Sequence, residues 1–247
     1  MKSSNIIFGV HPILEALESG RPVDKIFFQR DARSEGLNKI RQLALKKGIH
    51  FQFVPVEKLN RMKQGNHQGV IALISEIDYA DLETLLPGVF EGGRDPFILI
   101  LDKITDVRNF GAISRSALCA GVDAVVIPVQ GSAQINSEAM KASAGALNKI
   151  PICKSENLKQ TIALLKNSGL TVVSCTEKAQ TDLYRADLGG PIAVILGSEE
   201  TGISEEYLKL SDQKVRIPMA GSLDSLNVSV AAGIIMFEIL RQRRFNN

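Results

Sequence analysis

Ile217-Pro-Met-Ala-Gly-Ser-Leu-Asp-Ser-Leu-Asn-Val-Ser-Val-Ala-Ala-Gly-Ile-Ile-Met-Phe-Glu238 begins at a strand end, crosses a polar loop and enters a strongly apolar helix. Gly221, Ser222 and Asp224 occupy the loop, and Ser225 and Asn227 stand at the helix start. Free backbone N–H groups gather at a helix N-terminus, where short polar side chains cap them or leave them to grip a ligand. Packing alone does not need so many polar residues at the mouth of an apolar helix. The helix is expected over about Leu226 to Arg243.

Working outward, residues from Phe97 alternate apolar strands with helical patterns. Strands are expected at Phe97–Leu101, Ala124–Ile127, Thr171–Cys175, Ile192–Leu196 and Lys214–Ile217. Helices are expected near 110–120, 136–146, 157–167 and 203–210. Near-continuous apolar strands separated by helices predict a mostly parallel, doubly wound α/β sheet. Residues 1–76 form a smaller α/β unit, with strands at Lys25–Gln29, Phe51–Val54 and Gly69–Ile74 and a helix over Glu35–Lys47. Between them, 77–96 carries Pro87, Gly88, Gly92, Gly93, Asp95 and Pro96 and reads as a linker with a short helix near Asp81–Leu86. The expected domains are therefore 1–76 and 97–247.

The chain is 45% hydrophobic and 23% charged, a globular rather than disordered composition. It has no run of the roughly 18–20 apolar residues that a membrane span needs, and its N-terminal apolar stretch is too short for a signal peptide. Cys119, Cys153 and Cys175 lie far apart in apolar surroundings, which predicts reduced, buried thiols and a cytoplasmic location. Residues 1–77 hold 12 Lys/Arg against 7 Asp/Glu, a net +5, while the remainder carries −3. A basic N-terminal third is compatible with phosphate binding, and equally with an ordinary solvated surface.

Ligands of open α/β sheets sit beyond the carboxyl ends of strands, and two further strand ends are chemically crowded. Leu101–Ala117 contains Asn109 and Gly111 at a helix entry and Arg115 about one turn inside the helix, so that Asn109 and Arg115 are both candidates to face the loop cavity. Val194–Ile203 carries Gly197 and Gly202 at phosphate-loop spacing, but Ile203 stands where that motif requires Lys, so triphosphate binding is rejected. Glu199 lies at the tip of that turn. No Gly-x-Gly-x-x-Gly follows a strand, no His or Cys pair suggests a metal site, and the larger unit has no histidine for a Ser-His-Asp hydrolase. Arg, Asn, Glu and Ser without metal or His suit transfer of a pre-activated group, where orientation and charge stabilisation suffice.

These three strings, Asn109-Phe-Gly-Ala-Ile-Ser-Arg115, Leu196-Gly-Ser-Glu199 with Gly202, and Ile217-Pro-Met with Ser225-Leu-Asn-Val-Ser229, resemble the signature motifs of the SpoU (TrmH-type) RNA ribose 2′-O-methyltransferases. Val107 follows Asp106 where that family usually has Pro. The resemblance extends over the whole chain. Asn66-His-Gln-Gly69 and its surroundings are similar to the ribosomal-protein L30e-like RNA-binding domain of some members. Together with Ser132-Ala-Gln-Ile-Asn136 it fits the subgroup acting on a guanosine of 23S rRNA. The alternatives are tRNA, another rRNA loop, or a non-catalytic role in ribosome assembly.

The resemblance implies a deep C-terminal trefoil knot, a homodimer with its active site near the subunit interface, and S-adenosylmethionine as cofactor. It assigns Gly197, Ile217 and Leu226 to cofactor backbone contacts, with Leu196, Ser198, Met219 and Asn227 lining the pocket. Arg115 would meet the ribose hydroxyl, with Asn109, Glu199, Asn227 and Ser225 positioning it. His67, Gln68, Gly69 and Arg33 would contact RNA. A guanidinium keeps its proton in proteins, so Arg115 is expected to stabilise developing negative charge rather than act as a base.

Overall fold

The computed structural model describes residues 5–222 and 225–245, which fall into two compact units: residues 5–78 with Gln134–Ser137, and the remainder from Tyr79 onward.

In the first unit the chain runs β1 (Ile6–Phe8), α1 (Val10–Glu18), β2 (Val23–Gln29), α2 (Glu35–Lys46), β3 (Phe51–Val54), α3 (Val56–Met62) and β4 (Val70–Ile74). The sheet order is β1-β4-β2-β3, with β4 antiparallel to both β1 and β2 and β3 parallel to β2. Because strand side chains alternate between faces, β2 supplies both cores. Ile26 and Phe28 pack under α1 and α2 with Ile13, Leu17, Ile40 and Ala44, while Phe27 packs under α3 with Leu59, Ile71 and Leu73. The sequence pattern had shown three of these strands; β1, α1 and α3 are additional.

The second unit contains α4 (Leu82–Glu91), β5 (Phe97–Asp102), α5 (Val107–Ala120), β6 (Ala124–Pro128), α6 (Ser137–Ala142), β7 (Ile152–Ser155), α7 (Leu158–Asn167), β8 (Thr171–Cys175), β9 (Thr181–Asp182), β10 (Ile192–Gly197), α8 (Glu205–Leu210), β11 (Gln213–Arg216) and α9 (Val228–Phe245). Its seven strands are all parallel, in the order β7-β6-β5-β10-β8-β11-β9. From β5 the chain steps outward through β6 and β7. It then crosses to β8 and returns, so that β10 fills the place between β5 and β8. That junction is the topological switch point where such sheets bind ligands. Both strands there are buried along most of their length, which matches their unbroken apolar sequence.

The stretch 77–96 differs from its reading as a linker. Asp81 caps α4, and Leu82 and Leu86 lie in the core of the second unit. Burial of this apolar stripe outweighs the helix-breaking tendency of Pro87 and Gly88. The last helix starts at Val228 and reaches Phe245, two residues later at each end than expected. Arg243 fixes its far end: the guanidinium donates to the carbonyls of Asp95, Pro96 and Gly190 and lies over the Phe97 ring.

Candidate active site

At the switch point Gly197 of β10 sits in register with Asp102 of β5. Asp102 is buried, and its carboxylate accepts from the Ser204 amide at 2.8 Å, tying the loop after β10 to the end of β5. That loop is folded tightly. The Gly202 amide donates to the Ser198 carbonyl at 2.9 Å, the Thr201 amide to Ser198 Oγ at 3.1 Å, and Gly202 adopts a left-handed φ of 65°. A Cβ on Gly197 would lie 2.1 Å from the Gly202 carbonyl carbon, so glycine is required there by close backbone approach.

The loop forms one wall of a cavity of about 360 Å³. Leu196, Gly197, Ser198, Ile217, Met219 and Leu226, which the resemblance assigns to the cofactor, all line it, and so do Glu199 and Ser225, which it assigns to positioning the substrate. Asp224, read as part of the same polar loop, lies outside the described residues. The opposite rim comes from the end of β8, with Cys175, Thr176, Glu177 and Lys178. These four were missed in the sequence because the turn after β8 has no glycine signature, although the strand-end rule points to it. Burial, reinforced by the Glu177 carboxylate, pushes the Cys175 thiol up to about 12, so it stays neutral at physiological pH.

Beside the cavity, Asn109, Glu199 and Asn227 meet through their side chains. Asp106 caps α5, accepting from the amides of Arg108 at 2.8 Å and Asn109 at 2.9 Å. Those hydrogen bonds, that from Asn109 the largest, hold its carboxyl below the usual range although slight burial opposes them. The capped turn presents Asn109, whose Nδ2 donates to Glu199 Oε1 at 3.0 Å. Asn227 Nδ2 donates to the same oxygen and to Asn109 Oδ1, the latter at 3.1 Å. The Val228 amide, at the first turn of α9, donates to Glu199 as well at 3.2 Å. A carboxylate at a helix N-terminus is favoured by the helix dipole. Asn227 Oδ1 in turn accepts from the Ser229 amide at 2.9 Å, capping α9.

Arg115 is placed differently. It is exposed, does not line the cavity, and makes no hydrogen bond or ion pair with a described residue. Six residues on from Asn109, it is rotated roughly 240° around the helix at 3.6 residues per turn, which the expectation of a shared face overlooked. Asn227 likewise is in the polar cluster rather than among the cavity-lining residues.

The expected RNA-contacting group also divides. His67 is buried, 7% exposed, with Nε2 3.0 Å from Asn60 Oδ1 and Nδ1 accepting from the Gly69 amide at 3.1 Å. Both ring nitrogens are engaged within the fold, so His67 holds the turn and is not a free contact. Gly69 is buried with a φ of 76°. Gln68 is exposed, but its Oε1 accepts from the Val10 amide at 2.8 Å and so caps α1, whose own N-cap is Gly9. Arg33 is exposed.

Comparison with known proteins agrees with this architecture. Residues 96–237 match the SpoU rRNA Methylase family, and residues 6–80 match the family described as RNA 2′-O ribose methyltransferase substrate binding. A Bacillus subtilis protein named as a TrmH family tRNA/rRNA methyltransferase, YacO, is 35% identical over 237 residues, covering 96% of this chain and 95% of that protein. The SpoU methyltransferase AviRb from Streptomyces viridochromogenes, solved in complex with the cofactor AdoMet, superposes with a TM-score of 0.61 at 25% identity over 96% of this chain and 89% of its own. The A. aeolicus TrmH/SpoU tRNA modifying enzyme gives a TM-score of 0.56 at 30% identity over 62% of this chain and 77% of its own. A family match across the cavity-bearing unit, with relatives alike from end to end, makes this chain an RNA methyltransferase of the SpoU (TrmH-type) family.

Proposed function

We propose that this chain transfers a methyl group from S-adenosylmethionine to the ribose 2′-hydroxyl of a guanosine in 23S rRNA. The observation that carries the reading is the side-chain cluster of Asn109, Glu199 and Asn227 beside a cavity lined by Leu196, Gly197, Ser198, Ile217, Met219 and Leu226. These residues suit the cofactor. The apolar walls accept a flat heterocycle, and backbone groups along the turn after β10 and at Ile217 can bond its edge. Thr176 and Glu177 offer partners for sugar hydroxyls. The cofactor, when bound, supplies an activated methyl group; the threaded, knotted chain path of the family would form its cradle.

The protein contributes orientation and charge. Glu199 holds two asparagine amides and the first amide of α9 on one oxygen, so Asn109 and Asn227 are fixed before substrate arrives. Such preorganisation avoids reordering during the reaction. Ser225 lines the same space. Arg115 would stabilise negative charge developing on the ribose oxygen. Its exposure on α5 fits an active site completed across a homodimer interface. On α9, which packs beside α5, Val230 and Phe237 are 50% and 48% exposed and lie seven residues apart on one helical face. Covering this apolar stripe with a second copy accounts for it.

RNA recognition would fall to the first unit, the domain expected from the sequence over residues 1–76. No helix among the described residues is long and apolar enough to cross a membrane. The deciding experiment is methyl transfer from labelled S-adenosylmethionine to protein-free 23S rRNA and to tRNA, followed by nucleoside analysis, with Arg115→Ala as control. Label recovered as 2′-O-methylguanosine from 23S rRNA, and lost in the variant, is the expected result. Label on tRNA alone, or on another nucleoside, would replace the substrate assignment.

A further inference from the structure

The first unit carries a row of paired side chains on the face covered by α3. Phe8 of β1 and Phe27 of β2 are both in register with Ile71 of β4, and Gln52 of the edge strand β3 continues the row. Two strand spacings separate the two rings, about 10 Å. Three ammonium groups stand over them. Lys25 Nζ is 5.1 Å and Lys58 Nζ 5.4 Å from the Phe27 centroid, and Lys63 Nζ is 5.5 Å from that of Phe8. Sharing one ring brings Lys25 and Lys58 within about 10.5 Å of each other.

No ion pair with a described residue engages Lys25, Lys58 or Lys63. What sets Lys25, Lys58 and Lys63 apart is that all three gather over the two rings of one row. Partial burial, and then the neighbouring Lys58, lower the Lys25 pKa; burial, and then Lys25, lower that of His50. Ring quadrupoles hold the ammonium groups, but they do not cancel mutual repulsion. An anion would.

We infer that Lys25, Lys58 and Lys63 form a phosphate-backbone contact for the RNA substrate on the α3 face. The inference rests on the proposed RNA methyltransferase reading and gives it a specific surface. Cations spread over two rings about 10 Å apart fit a chain of phosphates better than one small anion. With Gln68 and His67 committed to the fold, these lysines supply charge where those residues do not.

The test is filter binding of a protein-free 23S rRNA transcript across a salt series, using full-length Lys25→Gln/Lys58→Gln/Lys63→Gln protein. Each phosphate contact to single-stranded RNA contributes about 0.7 to the slope of log affinity against log salt, so the slope should fall by about 2. The KM for RNA should rise, with kcat at saturating RNA unchanged. The corresponding triple Arg variant should keep the wild-type slope. If the triple Gln variant does not fold, Lys58→Gln alone, on an exposed helix position, should lower the slope by about 0.7. A folded Gln variant with the wild-type slope overturns the inference. Wild-type protein that neither binds nor methylates RNA would instead overturn the proposed function.

Discussion

Replacing Gly197 with alanine tests the idea that the cavity depends on a turn closed against its own strand. The added Cβ would lie 2.1 Å from the Gly202 carbonyl carbon, 2.2 Å from the Ile203 nitrogen and 2.3 Å from the Gly202 oxygen. Ordinary carbon contacts are about 3.5–4.0 Å, so the turn must retreat by about 1.4 Å. All three obstacles are backbone, and no rotamer change can relieve them. Retreat stretches the Gly202 to Ser198 hydrogen bond beyond bonding distance from its present 2.9 Å. Overpacking of this kind costs about 1–3 kcal/mol and the lost hydrogen bond about 1 kcal/mol more. For a chain of this size about 2–4 °C accompanies each kcal/mol, so a melting temperature lower by about 5–15 °C is expected by calorimetry. Cofactor affinity, measured by titration calorimetry, should fall further because the displaced turn is the cavity wall. Gly88→Ala is the control. Nothing lies within 4 Å of its added carbon, and helix propensity favours it by about 0.5–1 kcal/mol. A Gly197→Ala protein with wild-type melting temperature and cofactor affinity would refute the close-approach argument.

Glu199→Ala should lower kcat by about 100-fold while changing the melting temperature by no more than a few degrees, because misplacement of positioning groups costs rate before stability; wild-type kcat would remove Glu199 from the machinery. Asp106→Ala should cost about 1 kcal/mol at pH 7 through loss of the α5 cap, read from urea unfolding. The native carboxyl titrates below its usual range, so its stabilisation is present above the ordinary carboxylate pKa and lost as pH falls through the lowered native value. The difference between Asp106→Ala and wild type should therefore shrink below about pH 4, and a difference constant down to pH 2 would contradict that cause. Burial first, with Asp81 and Glu177 respectively adding to it, raises Cys153 to about 11 and Cys175 to about 12. Both should resist iodoacetamide in native protein at pH 8, whereas Cys119, expected to be buried but exposed on α5, should react; rapid alkylation of Cys153, seen by mass spectrometry, would mean that β7 opens readily.

Much of the larger unit was readable because its strands are buried on both faces. Phe97–Leu101 and Ile192–Leu196 are apolar without interruption, and the structure extends each by one residue. Shorter or half-polar strands were not readable. Ile152-Cys-Lys-Ser155 owes its place to pairing with β6, and Thr181–Asp182 to pairing with β11, contacts that local pattern does not encode. The polar cluster was legible as three crowded strand ends, but its hydrogen bonds span 28 to 118 residues of sequence and appear only once the sheet order is known. His67 shows the converse error. A polar side chain in a Gly-rich turn invites a binding role, and only its burial against Asn60 reveals a structural one.

The pairing of α5 with α9 and the Arg243 clamp have a consequence in time. Between Ala120 and Val228 the ribosome must add 107 residues, which takes roughly 5–20 s at ordinary elongation rates. Through that interval α5 lacks its packing partner, and the turn bearing Asn109 gains Glu199 first and Asn227 only at the end. The larger unit is thus a late-closing fold, whose apolar α5 flank is exposed to chaperones, or to a neighbouring nascent chain, until the last helix arrives.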